Sequence, residues 1–139
     1  MRRYLPLVLA SLLAACTSVR VSAIDPRYKP MKRVCIERNA KVMVDDFVGV
    51  VEDGFRRHGI ATAVYDPPVP SDCPYVLTYT ALRGWDMATF LKYAELRLRD
   101  SEQTIGSATY QHRGGFGLNK WAGTESKMTP VIDQLLAAY

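Results

Sequence analysis

The chain has 139 residues, of which 48% are apolar and 23% charged, with a formal net charge of +4. That apolar share excludes a disordered polyelectrolyte, and the length suits one domain with one core. Two of the eighteen basic residues, Arg2 and Arg3, precede residue 16, so the rest sets sixteen bases against fourteen acids, a formal +2. A nucleic-acid binder shows a basic stripe and a recognisable motif; neither is present, and no nucleic-acid partner is expected.

Residues 1–15 form the first segment. Met1-Arg2-Arg3 is a charged start, and Tyr4 to Ala15 is a short, mostly apolar run. A permanent membrane span needs about 20 apolar residues, so this run has the proportions of a cleaved signal peptide. Leu13-Ala14-Ala15-Cys16 resembles the bacterial lipobox. The resemblance implies cleavage before Cys16, a diacylglycerol on its sulfur and a further acyl chain, such as palmitate, on its amine. Thr17-Ser18, in place of an Asp after the cysteine, implies the periplasmic face of the outer membrane. One acyl chain binds reversibly and two signals anchor stably. A triacylated terminus would therefore make the membrane the protein's first partner. The plainer alternative is an ordinary signal peptide with a chance cysteine.

Residues 16–32 read as a lipidated terminus and tether. Asp25-Pro26 and Lys29-Pro30 resist helix, while Ser18 to Ser22 alternates and suits a short edge strand. Arg20, Arg27, Lys29, Lys32 and Arg33 make the stretch basic. Anionic headgroups would attract such residues by about 1 kcal/mol each; a solvated linker is the plainer reading.

Residues 33–139 read as one folded domain. Val34-Cys35-Ile36 is a short β-branched strand. From Val44 to His58 the spacing of Val44, Phe47, Val48, Val51 and Phe55 predicts a helix with one apolar face, and Gly59 suits its C′ position. Ile60 to Tyr65 alternates as a strand and is closed by Pro67, Pro68 and Pro70. Tyr75–Arg83, Phe90–Arg99 and Thr104–His112 then predict an antiparallel meander. In its second strand Ala94, Leu96 and Leu98 should face inward, with Tyr93, Glu95, Arg97 and Arg99 outward. Gly114-Gly115-Phe116-Gly117 breaks the regularity. A last helix begins either at Thr129-Pro130, with N-cap and N1 chemistry, or near Thr124 with Pro130 inside it. The order, written β-α-β-β-β-α, predicts an α+β two-layer sandwich: a mostly antiparallel sheet with two helices on one face.

With Cys16 assigned to lipid, Cys35 and Cys73 remain. In an oxidising compartment an even pair reads as a disulfide, and closing a loop of about 40 residues is worth roughly 4 kcal/mol in the chain-entropy model. Two independent small core residues are the alternative.

Tyr75 to Asp86, Ala94-Glu95-Leu96, Lys120-Trp121 and Lys127 to Leu136 resemble an uncharacterised family of small proteobacterial lipoproteins, the Sbal type. The resemblance implies class and location and brings no activity. The element order is also similar to that of accessory envelope lipoproteins, a likeness of fold only.

Motifs for chemistry are scarce. No Gly-x-Ser-x-Gly elbow occurs, His58 and His112 have structural explanations at element ends, and Cys/His spacing fits no zinc site. Asp45-Asp46 and Glu52-Asp53 read as solvated charges on a helix. The glycine run lacks the Gly-Lys-Ser/Thr ending of a phosphate loop. No catalytic residue, metal or cofactor is expected. Arg and large aromatics are enriched in interface cores, so Arg83, Trp85, Phe116 and Trp121 form the candidate interaction patch. The expected function is a non-enzymatic, outer-membrane-anchored binding or scaffold module, with an envelope protein as partner. The alternative is a lipoprotein that binds a glycolipid or peptidoglycan fragment through Arg97, Arg99, Arg113 and the tyrosines.

Overall fold

The computed structural model describes residues 17–28, 30–101, 103–114 and 118–139. The expected signal segment 1–15, the expected lipidation residue Cys16 and the candidate patch member Phe116 lie outside the described residues. The elements are β1 Thr17–Ser22, β2 Arg33–Glu37, α1 Phe47–Arg57, β3 Ala61–Tyr65, β4 Tyr75–Asp86, β5 Ala88–Asp100, β6 Gln103–His112 and α2 Thr124–Leu135. Short 3-10 turns occupy Pro26–Tyr28 and Leu118–Trp121.

The strands form one six-stranded mixed sheet in the order β1-β6-β5-β4-β2-β3. β4, β5 and β6 are the antiparallel meander, and β1 pairs antiparallel with β6 from Thr17↔His112 to Ser22↔Ser107. β2 lies parallel to both β3 and β4. Parallel neighbours need a crossover connection, and α1 supplies it between β2 and β3. The fold is α+β with two helices, as the sequence predicts, but β-α-β-β-β-α counts two strands too few: it omits β1 and writes three strands between the helices. Four strands, β3 to β6, separate the helices, because Ile60–Tyr65 and all three meander segments form.

Helix α1 follows its apolar spacing. Phe47, Val51 and Phe55 are fully buried, with Val44 and Val48 packed beside them. Its end is a Schellman motif: Ile60 N–H donates to the Phe55 carbonyl (3.1 Å) and Gly59 N–H to that of Arg56 (2.9 Å). Gly59, at φ 75, adopts the left-handed conformation that this motif requires.

Helix α2 starts at Thr124, so Pro130 lies inside it. Proline removes one N–H and frees the carbonyl four residues back, here that of Ser126. Both residues are exposed, so water can take the bond. The opposite side of α2 buries Met128, Val131, Ile132 and Leu135. The helices touch closely at Gly54, where a Cβ would lie 2.7 Å from Ile132 Cγ2.

The core lies between the helices and one sheet face. Leu77, Tyr79 and Ala81 of β4 and Ala94, Leu96 and Leu98 of β5 point into it. The other face is polar, as an antiparallel sheet facing water allows. There Glu95 accepts hydrogen bonds from Tyr93 (2.8 Å) and Arg97 (2.7 Å). Cys35 on β2 and Cys73, two residues before β4, form a disulfide across a Cα separation of 6.0 Å. It fastens the proline-rich 66–74 loop to β2, the strand that lies between β3 and β4.

Candidate functional site

Three of the candidate side chains, Arg83, Trp85 and Trp121, gather around the β4–β5 hairpin. Asp86 pairs with Ala88 across the tip, leaving Met87 at the apex with φ 60. A non-glycine residue there costs roughly 1–2 kcal/mol. Met87 is 85% exposed and Trp85, two residues before it, 76%.

The tip is braced from the 118–121 turn. Trp121 Nε1 donates to the Asp86 carbonyl (3.0 Å), and Lys120 forms an ion pair with the Asp86 carboxylate. The Lys120 ammonium also lies 4.9 Å from the centre of the Phe90 ring and 5.6 Å from that of Trp121. The structure thus brings Arg83, Trp85 and Trp121 to one end of the molecule. Arg83 and Trp121 line the same cavity of about 330 Å³, together with Asp46, Thr89 and Phe90. Trp85 does not line it; its ring belongs to the exposed hairpin.

Behind the hairpin lies a group that sequence reasoning missed. Lys127 on α2 is nearly buried and has no carboxylate partner among the described residues. Its ammonium donates to the carbonyls of Leu91 (3.2 Å) and Lys120, and lies 5.6 Å from the Phe90 ring and 5.9 Å from the Tyr110 ring. Burial lowers its pKa from the usual lysine value. His112, at the end of β6, is also buried, edge-on to Phe90 at 5.4 Å. Desolvation first, then the charges of Lys127 and Lys120, push its pKa down. The only sequence signal for Lys127 was its place on the apolar side of α2, one residue before Met128.

Other polar residues tie elements together. His58, at the C-cap of α1, lies 2.8 Å from the Asp133 carboxylate on α2 and 3.1 Å from the backbone oxygen of Tyr139. That histidine hydrogen bond is the largest of the influences that lower the Asp133 pKa. Asp46 and Glu52, read from sequence as solvated charges, accept from Thr124 (2.9 Å) and Thr62 (3.0 Å). Arg97, Arg99 and Arg113, the arginines considered for a glycan, do not converge. Arg97 pairs opposite Ser107, six residues along from Arg113, or about 20 Å at strand rise. Among the described residues no cluster of three or more His, Cys, Asp or Glu side chains could hold a metal, and no helix is long and apolar enough to cross a membrane.

The fold defines a small α+β sandwich, two helices on one face of a six-stranded mixed sheet, with a braced apolar hairpin at one end. Among solved structures, the chain is similar to a PelC dodecamer from Paraburkholderia phytofirmans at 17% identity and a TM-score of 0.56, covering 88% of this chain and 96% of that one. A point variant of the same dodecamer gives a TM-score of 0.55, also at 17% identity, over 88% and 95% of the two chains. At these identities the likeness is one of fold. A minor lipoprotein from Acinetobacter baumannii, 18% identical over 76% of this chain and 86% of that one, has a TM-score of only 0.32, too loose to define a shared fold. No family model and no curated protein matches the chain, so the resemblance to the Sbal type rests on the quoted segments alone.

Proposed function

We propose that the protein is an outer-membrane lipoprotein, held on the periplasmic face through lipid on Cys16, whose domain is a non-enzymatic binding or scaffold module of the cell envelope. The lipobox-like Leu13-Ala14-Ala15-Cys16 supports the anchor. The observation that carries the binding role is Met87: a large apolar side chain, 85% exposed, on a backbone conformation that disfavours any side chain. Folding alone gives no reason for it, whereas a partner that covers Met87 and Trp85 does. The mechanism is positional: the lipid confines the domain to the membrane surface and raises its effective concentration toward an envelope protein there. Self-assembly belongs to the same reading, since the fold-related PelC is a dodecamer.

Crosslinking in intact cells, followed by detergent extraction and mass spectrometry, tests this reading with wild type, Cys16→Ala and Met87→Gly. One specific envelope protein, or a second copy of this chain, recovered with wild type and lost from both variants is the expected result. Equal recovery from all three, or no reproducible partner, would sink it. A second reading, a binder of glycolipid or peptidoglycan fragments, is favoured by the cationic residues that gather around His112.

A further inference from the structure

Sharing Phe90 with the Arg83–Trp121 cavity is an open depression of about 660 Å³, lined also by Lys92, Gln111, His112, Arg113, Gly114 and Lys120. We infer that this depression binds a phosphate-bearing group. Three lining side chains are cationic and none is a carboxylate. Asp86 offsets Lys120 from the adjoining hairpin, but Lys92 and Arg113 make no ion pair among the described residues. A net charge of about +2 around one depression matches a phosphate dianion better than a single carboxylate.

Local geometry places these groups there. β5 carries a bulge: Tyr93 pairs with Leu82 and Leu91 with Arg83, so Lys92 is the additional residue. Bulges re-aim side chains, and this one brings Lys92 beside Gln111 and His112. The Phe90 ring, held over Gly84 so closely that a Cβ there would lie 2.5 Å away, forms an apolar wall. His112 Nε2 is buried with no hydrogen-bond partner among the described residues. Buried polar atoms in folded proteins rarely lack partners, and a phosphate oxygen accepts from an imidazole N–H. Burial together with the Lys127 and Lys120 charges holds the ring neutral. An anion among Lys92, Arg113 and Lys120 would offset the charges that His112 feels and raise its pKa.

The inference deepens the second reading and does not depend on the hairpin contact. Its test is NMR of the His112 ring in the mature lipidated protein in maltoside micelles. The soluble probes are inorganic phosphate and glycerol 3-phosphate; the lipid probes, doped into the micelles, are phosphatidylglycerol and, as the neutral control, phosphatidylcholine. The expected result is a saturable His112 shift with a raised pKa, weakened at least about tenfold in Lys92→Glu/Arg113→Glu, with the His58 resonances unmoved. Arg113→Gln alone replaces the double variant if that variant unfolds. A response to the soluble probes assigns a free phosphate compound, and a response to phosphatidylglycerol alone assigns a lipid headgroup. No His112 response to any probe up to about 10 mM phosphate, or an undiminished response in the charge-reversed protein, would overturn the site. The double variant should retain the crosslinked partner, so failure here and failure of the hairpin reading are distinguishable.

Discussion

Met87 separates stability from recognition at the level of one residue. Glycine there relieves left-handed strain of roughly 1–2 kcal/mol and gives back part of it as unfolded-chain entropy. Met87→Gly should therefore be neutral or stabilising by up to about 1 kcal/mol in urea unfolding, while partner capture falls. A loss of stability would mean that Met87 serves the fold. Lys127 acts in the opposite sense. Its folded pKa lies below the ordinary 10.5, so between the two values the unfolded chain binds more protons, and stability rises with pH across that window. Lys127→Met should flatten this alkaline rise and change stability near neutrality by no more than about 1 kcal/mol, because an apolar replacement removes a buried charge but leaves two carbonyls without their donor. Urea midpoints measured up to pH 10.5 check both expectations. Spacing could suggest that Lys127 sits on the apolar side of α2, but not that two carbonyls and two rings would receive its ammonium. That environment is assembled from β5, β6 and the 118–121 turn.

The helix contact is decided by the shortest side chain available. With a Cβ at Gly54 only 2.7 Å from Ile132, Gly54→Val should destabilise by about 1–3 kcal/mol despite valine's better helix propensity. Thermal unfolding would show it, and an unchanged midpoint would mean that the helices part at little cost. The same helix pair carries the His58–Asp133 contact. The Asp133 pKa is lowered in the fold, so its contribution is present above the ordinary carboxylate value and is lost as pH falls through the lowered one. Both partners remain partly solvated, so Asp133→Asn should cost less than about 1 kcal/mol and remove that part of the acid sensitivity. α1 was legible because its apolar spacing and Gly59 agree. The start of α2 was ambiguous because Thr129-Pro130 is good N-cap chemistry, and only the packing of Met128 against the core places Thr124 first.

Across the whole molecule the disulfide and the sheet edge govern stability. Cys35→Ala/Cys73→Ala should lose about 2–4 kcal/mol, read as a shifted urea midpoint, because the 66–74 loop is freed from β2. Little or no shift would mean that the core alone holds that loop. β1 runs along β6 from Thr17 to Ser22, so the stretch just after Cys16 belongs to the sheet and leaves residues 23–32 as its link to β2. The sequence by itself determined the class of fold, the α1 helix, the meander strands, the inward side of β5 and the even pair of cysteines. Each of these depends on a local period, a local cap or a count. The tertiary structure alone decided that β2 lies between β3 and β4, that β1 closes against β6, and that Trp85, Trp121, Lys120 and His112 share one end. Those outcomes depend on contacts between residues far apart in the chain, where burial and pairing select among arrangements that local sequence leaves equal.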